Sequence, residues 1–249
     1  GFSVKTASRE YEGNLYGIKV LNHTTWATDS HKFSVRFSED CKKKYCTYLM
    51  RRGDWWRVGI TSTYNARGFG LKHRMRQENA DEAWIINLFD SKSEASCSEE
   101  IMSIKYSMPQ THWEPERGFK ERSINNRSKE FISKIYESLD LNIMRENAER
   151  LLNNYGRLIK YPLITKDSRG TKFSKRVTVQ VQACNLIGNL MQVPIPYKKW
   201  EGLKTFDWEP INGIEIKDYS GTVYSLDVEK HGHYIADGIV THNCLYGWK

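Results

Sequence analysis

The chain has 249 residues, with 38 lysines and arginines against 30 aspartates and glutamates, for a formal net charge of +8. That length accommodates two compact domains, or one domain inserted in another, and the charge favours an anionic partner, nucleic acid first. No apolar run approaches the roughly 18 residues of a membrane helix and no signal peptide opens the chain, which argues against a membrane role. Five cysteines (Cys41, Cys46, Cys97, Cys184 and Cys244) are irregularly spaced and form no Cys-x-x-Cys pair. They exclude a zinc ladder and fit reduced thiols in a cytoplasm.

The chain opens Gly1-Phe-Ser-Val without a methionine, in what reads as mid-strand, so its start is taken as a fragment boundary. Residues 1–38 alternate apolar and polar positions (Phe2, Val4; Leu15, Gly17-Ile18, Val20; Phe33, Val35, Phe37), predicting short strands of an all-β domain. Thr28-Asp-Ser-His31 interrupts them and, on its own, is an ordinary surface turn.

The character changes near residue 41. Lys42-Lys-Lys-Tyr-Cys-Thr-Tyr-Leu-Met50 and Trp55-Trp-Arg-Val-Gly-Ile-Thr61 predict two short strands joined at Gly53-Asp54. The basic stretch Arg67 to Arg76 predicts a helix after its glycines. Glu82-Ala-Trp-Ile-Ile-Asn-Leu-Phe89 predicts a third strand, and Ser91 with Glu94 forms a capping box opening a helix to about Tyr106. Trp55 and Trp56 sit in apolar strand contexts and read as packing residues.

This hairpin–helix–strand–helix order resembles the GIY-YIG endonuclease domain. Cys46-Thr-Tyr48 stands where Gly-Ile-Tyr is usual, so Tyr48 keeps the tyrosine; Arg57-Val-Gly59 stands at Tyr-Ile-Gly, so Arg57 replaces the second one. Arg67 lies at the spacing of the family's catalytic arginine, with Arg74 as runner-up, and Ala95 followed by Glu99 matches its Ala-x-x-x-Glu pattern. The resemblance implies Tyr48 as base for water, Arg67 as a positive charge on the phosphate, and Glu99 as the ligand of Mg²⁺ or Mn²⁺. A lone carboxylate plus water suits those cations better than zinc. His73 reads as a DNA-facing or surface group, with a catalytic part left open. Glu99 also carries a signal of its own: it shares a helical stripe with Ala95, Met102 and Tyr106, where an apolar residue would be buried at lower cost.

Two amphipathic patterns follow: Phe131, Ile132, Ile135, Tyr136 and Leu139, then Ala148, Leu151, Leu152 and Tyr155. They predict two helices, either a solvated spacer or a tail gripping DNA phosphates. Arg57, Arg76, Arg127, Arg157 and Lys160 are the expected DNA contacts. From Arg176 the strand rhythm returns in Val177-Thr-Val-Gln-Val-Gln-Ala-Cys184, with Cys184 a buried small hydrophobe.

The last thirty residues hold the chemistry with the clearest logic. Val223-Tyr-Ser-Leu-Asp-Val228 and Tyr234-Ile-Ala alternate as strands, and Asp237-Gly238 turns the chain into Ile239-Val240 and then Thr241-His242-Asn243-Cys244. The Asn243 carboxamide nitrogen can attack its own carbonyl carbon, close a succinimide and expel Cys244 as a new N-terminus. His242 can polarise that carbonyl or protonate the leaving amine.

This stretch resembles the C-terminal splicing blocks of inteins, in the Hint (hedgehog/intein) superfamily, over about twenty positions. Within that resemblance, Thr28 and His31 match the Thr-x-x-His of the second intein block, which strains or protonates the N-terminal scissile amide. The histidine of the penultimate block aligns with Gly232; His231 and His233 flank it, share one face of the strand, and are the candidate substitutes. Ser225 stands where that block often carries aspartate, with Asp227 on the same face. An intact intein begins with Cys or Ser and a first block; Gly1 already sits just upstream of the second. The resemblance therefore implies no splicing in cis: the sequence is read as truncated, the alternative being a separate N-terminal intein segment.

Together these readings give an α+β multidomain chain, an all-β Hint (horseshoe) domain interrupted by a small α/β GIY-YIG nuclease domain with a helical tail. The expected division is 1–40 and 169–243 for Hint, 41–116 for the nuclease, 117–168 for the tail, and 244–249 for the host segment (extein). The implied partners are the host extein sequences and double-stranded DNA of an intein-less allele, and the implied setting is the cytoplasm of a bacterial or phage system. The rival readings are a domain that performs only the Asn243 cleavage, a nuclease with a vestigial β scaffold, and a degenerate, purely DNA-binding module.

Overall fold

The computed structural model describes residues 4–38, 44–65, 68–115, 128–167, 178–196, 206–228 and 233–242. Along the chain run β1 (Val4–Val20), β2 (His23–Thr28), β3 (Lys32–Phe37), β4 (Tyr45–Arg52), β5 (Trp55–Ser62), β6 (Tyr64–Asn65) and β7 (Gly68–Phe69). Then come α1 (Gly70–Glu78), β8 (Glu82–Phe89), α2 (Lys92–Tyr106), α3 (Lys129–Glu137), α4 (Leu141–Asn154) and β9 (Ile164–Thr165). The final strands are β10 (Val179–Gln182), β11 (Met191–Pro196), β12 (Phe206–Pro210), β13 (Gly213–Val228), β14 (His233–Ala236) and β15 (Ile239–His242). The fold is α+β, and the strand ladders among the described residues are antiparallel. The chain divides into two compact units, one formed by Gly1–Cys41 with Phe173–Lys249 and the other by Lys42–Lys172.

In the discontinuous unit, β1 pairs with β13 from Val4↔Val228 to Lys19↔Gly213, and β2 lies on the other side of β1 from Leu15↔Thr28 onward. A second sheet runs β10-β3-β11-β12. The buried side chains include Tyr16, Ile18, Val20, Phe33, Val35, Phe37, Val181, Cys184 and Val193. The expectation of short N-terminal strands is corrected: β1 is 17 residues long. Most side chains from Val4 to Glu10 are exposed, so this stretch carries no apolar alternation to mark it as strand. Its regularity comes from main-chain bonds to β13. The β14–β15 hairpin turns on Asp237 (φ 47°) and Gly238 (φ 81°), the two left-handed residues that a two-residue type I′ turn requires.

In the continuous unit, the sheet order is β5-β4-β8-β9. Trp56 stacks on Trp84 at 5.7 Å between ring centroids, and Trp55 stacks on Tyr136 of α3 at 4.8 Å, so both tryptophans pack as expected. The helices expected as a separate tail are part of this unit and bury one face in it: Ile132 and Tyr136 of α3 and Met144, Ala148, Leu151 and Leu152 of α4 are buried, and α4 packs on α2 and β5. No helix among the described residues is long and apolar enough to cross a membrane.

Helix α2 begins where its capping box predicts. Ser91 Oγ accepts from the Glu94 N–H at 3.1 Å, and the Glu94 carboxylate accepts from the Ser91 N–H at 3.2 Å. Replacing Ser91 with Ala should cost about 1 kcal/mol in urea unfolding, by orphaning one donor of the first turn. No loss would mean that the cap contributes nothing to the unit's stability.

Candidate functional site

Each unit gathers one cluster of chemically capable side chains. In the discontinuous unit the first is the turn 28–31. The His31 N–H bonds back to the Thr28 carbonyl at 3.1 Å, and Asp29 Oδ1 accepts from the Ser30 N–H at 2.7 Å. The turn is also tied to the segment after β10: the Ala183 N–H donates to the His31 carbonyl at 2.8 Å, and the Cys184 N–H to the Asp29 carbonyl at 3.3 Å. A rigid turn delivers a fixed imidazole. His31 packs edge-on to Phe33 at 5.1 Å, and its Nε2 is hydrogen-bonded to Thr241 Oγ1, 210 positions away in sequence.

Thr241 is 1% exposed and sits on β15. A cavity of about 320 Å³ lies beside it, lined by Thr25, Thr28, His31, Phe33, Ser225 and Thr241 among others. Thr28, His31 and Ser225 therefore face one space. His233 pairs across the hairpin with His242, and its Nε2 lies 3.1 Å from Ser34 Oγ, which also accepts from Gln180 Nε2 at 2.8 Å. Ser34 and Gln180 were not anticipated; they carry no sequence signal beyond their place on strands. Asn243, Cys244 and His231 lie outside the described residues, as does the side chain of His242.

In the continuous unit the cluster is built around Tyr48 at the centre of β4. The register of the pairing with β8 shifts between Thr47 and Tyr48. Tyr48 faces Gly59 across β5, and a Cβ at residue 59 would overlap the phenol ring, so the glycine makes room for it. Tyr48 is fully buried, and burial pushes its phenol above the ordinary range while Arg57 and Arg74 pull it back.

Arg57 requires a correction. Expected among the DNA contacts, it is 1% exposed and turned inward. One Nη1 donates both to the Tyr48 hydroxyl at 3.2 Å and to Glu78 Oε1 at 3.1 Å, and Nη2 donates to the Gln110 carbonyl at 2.9 Å. Glu78 Oε2 accepts from the Trp113 N–H at 2.8 Å, while Arg74 and His112 approach Oε1 at 4.0 and 3.7 Å. A guanidinium so enclosed cannot reach a phosphate on the surface. Breaking one half of such a buried pair typically costs about 3–5 kcal/mol.

Glu78 was missed, although its signal was present: Leu71, Met75 and Glu78 form a buried i, i+4, i+7 stripe on α1, the same oddity that singled out Glu99.

Glu99 is half-buried on α2, beside buried Ala95, Met102 and Tyr106. Burial, then Glu100, raise its carboxyl above the usual range, and Arg57 and Arg74 oppose the rise. Glu99, Arg74, Arg57 and Tyr48 thus share one electrostatic neighbourhood. His73, Arg74 and Arg76 line a hollow of about 1120 Å³ with His112, Lys129 and the carboxylates of Glu78 and Glu114. Arg157 is half-buried and Lys160 exposed. Arg67 and Arg127 lie outside the described residues.

Among the described residues no group of three or more His, Cys, Asp or Glu gathers around a point. Glu78 is already engaged by Arg57 and the Trp113 N–H, and Glu99 is the other carboxylate acting on Tyr48. One carboxylate donor fits a hard, largely hydrated Mg²⁺ or Mn²⁺ and not a tetrahedral zinc centre.

The direction of the Glu99 shift has a consequence for stability. A carboxyl whose folded value is raised favours the fold while protonated, and that contribution is lost as pH rises through the folded value. Glu99→Gln should therefore raise the thermal midpoint at neutral pH and leave it near the parent's in acid. An equal midpoint at all pH values would mean that the carboxylate is relaxed where it lies.

No family model matches this chain, and no match is found among curated proteins or solved structures.

Proposed function

We propose that the chain is part of a bifunctional intein, with a self-cleaving splicing unit and a DNA-cutting unit inserted into it. The observation that carries this reading is the His31–Thr241 hydrogen bond. It joins the histidine of an N-terminal splicing motif to the strand that leads directly into His242-Asn243-Cys244, as a shared splicing centre requires.

The cleavage follows from the side chains. The Asn243 amide nitrogen forms a bond to its own carbonyl carbon, and the peptide bond to Cys244 breaks. The departing nitrogen takes a proton, and residue 243 is left as a succinimide. His242 acts at the scissile carbonyl or leaving amine; His233, opposite it in the hairpin, is favoured over His231 as the second imidazole because its ring is held by Ser34. In an intact precursor the Cys244 thiolate receives the upstream acyl group before this step, and an S-to-N shift afterwards joins the host segments.

In the inserted unit the family resemblance gives Tyr48 the proton of the attacking water and Arg74 with Arg67 the positive charge on the phosphate, while the full burial of Tyr48, like that of Arg57, counts toward the second reading below. Glu99 would hold Mg²⁺ or Mn²⁺, which when bound would supply further charge neutralisation at the phosphodiester. His73, Arg76, Lys160 and, outside the described residues, Arg127 provide sequence-independent grip on double-stranded DNA. The inward turn of Arg57 favours one second reading, a unit that binds DNA without cutting it.

The two activities should be separable. Asn243→Ala should abolish self-cleavage and leave DNA cutting intact, and Glu99→Gln should do the reverse, read by gel assays of protein and DNA. Loss of both from either change would contradict the two-unit reading. DNA retention without cutting in the unsubstituted chain would favour the second.

A further inference from the structure

Arg57, Glu78 and Tyr48 come from three elements, β5, α1 and β4, and meet in the interior. The two N–H groups of Arg57 Nη1 divide between Tyr48 Oη and Glu78 Oε1, and the far side of Glu78 is pinned by the Trp113 main-chain N–H. Each group is at most 2% exposed. Buried ion pairs rarely increase stability over apolar residues of the same volume, so an arrangement this enclosed has a better rationale in what it does to a neighbour. The neighbour is a phenol. A guanidinium N–H on its oxygen binds the deprotonated form more strongly than the protonated one, since the phenolate is the better acceptor.

We propose that Arg57 and Glu78 are a positioning pair for Tyr48, Arg57 holding the phenolic oxygen and Glu78 both fixing the guanidinium and offsetting its charge. This rests on the nuclease reading and adds to it two residues that act through the tyrosine. The charged groups acting on Tyr48 are Arg57 of β5, Arg74 and Glu78 of α1 and Glu99 of α2; Arg57 also faces Tyr136 of α3, and Glu78 faces His112. Of these, Arg57 is the one hydrogen-bonded to the phenol. Glu78 stands behind it, so the pair as a whole acts on the phenol as an attenuated positive charge.

The arrangement makes a signed forecast that a merely structural role would not. Glu78→Gln leaves Arg57 charged and uncompensated, so the Tyr48 phenol should ionise at lower pH than in the parent. The double change Arg57→Met with Glu78→Gln removes both charges at similar volume, and the phenol should ionise at higher pH than in the parent. Each shift should be about 1–3 units. The readout is NMR of ring-labelled tyrosine across pH, with the Tyr48 resonance assigned from Tyr48→Phe. The pH profile of DNA cleavage is measured on the same proteins. The double variant guards against misfolding, since it buries no unpaired charge.

Shifts of opposite sign support the pair. Shifts of the same sign, or a Tyr48 resonance indifferent to both changes, overturn it. If the resonance moves as forecast while even the unsubstituted chain cuts no DNA, the pair stands and the nuclease reading fails. If the resonance moves as forecast while DNA is cut with a pH profile that ignores both changes, the pair stands and Tyr48 is not the group whose ionisation governs cutting.

Discussion

The pairing of residues 4–19 with 213–228 is the constraint on which the discontinuous unit depends. Main-chain bonds along almost the whole of β1 tie the two ends of the described chain together, although some two hundred residues separate them. Closing so long a loop has an entropic cost that grows only slowly with its length, which is how an entire second unit fits between the halves. Once β1 and β13 are registered, β2 and the 28–31 turn follow from β1, and β14 and β15 follow from β13. The meeting of His31 with Thr241 is the consequence.

The continuous unit depends on a different kind of constraint. Its sheet is a hairpin with β8 and β9 alongside, and its interior combines aliphatic side chains with rings such as Trp56, Trp84, Trp113 and Tyr136, but a full guanidinium lies within it. Arg57 is held there by its terminal nitrogens, which find Tyr48, Glu78 and the Gln110 carbonyl, while its Nε is buried without a hydrogen-bond partner. The partners come from β4, α1 and the segment after α2, so the polar contact fixes how those elements sit. Gly59 completes the arrangement by leaving space for the phenol. The result places Tyr48, Glu99 and Arg74 in one electrostatic neighbourhood.

Much of the local structure was legible in the residues. The Gly53-Asp54 turn, the strand Glu82–Phe89 and the Ser91–Glu94 cap were marked by alternation and by side chains that bond their own backbone, signals that need no tertiary context. Glu99 was legible for a similar reason, since a carboxylate in an apolar stripe is visible at helical spacing. The length of β1 was not, because a ribbon wetted on both faces has no hydrophobic period. The direction of Arg57 was not either. An arginine reads as surface unless its counter-charge is known, and Glu78 is 21 positions away on another element. The link from Ser34 to His233 spans 199 positions and exists only through the packing of β14 near β3. Pairings of this kind are set by topology, and no local pattern carries them.

The central claim is that the strand leading out of Thr241 ends in a peptide bond that breaks itself. Intact mass spectrometry of the purified chain after incubation, beside Asn243→Ala, tests it most directly. The account predicts that the unsubstituted chain loses the mass of Cys244–Lys249 and keeps a succinimide at residue 243, with no change in the variant. Cleavage that persists in Asn243→Ala, or a chain whose mass never changes even when an N-terminal splicing segment is added, would contradict it.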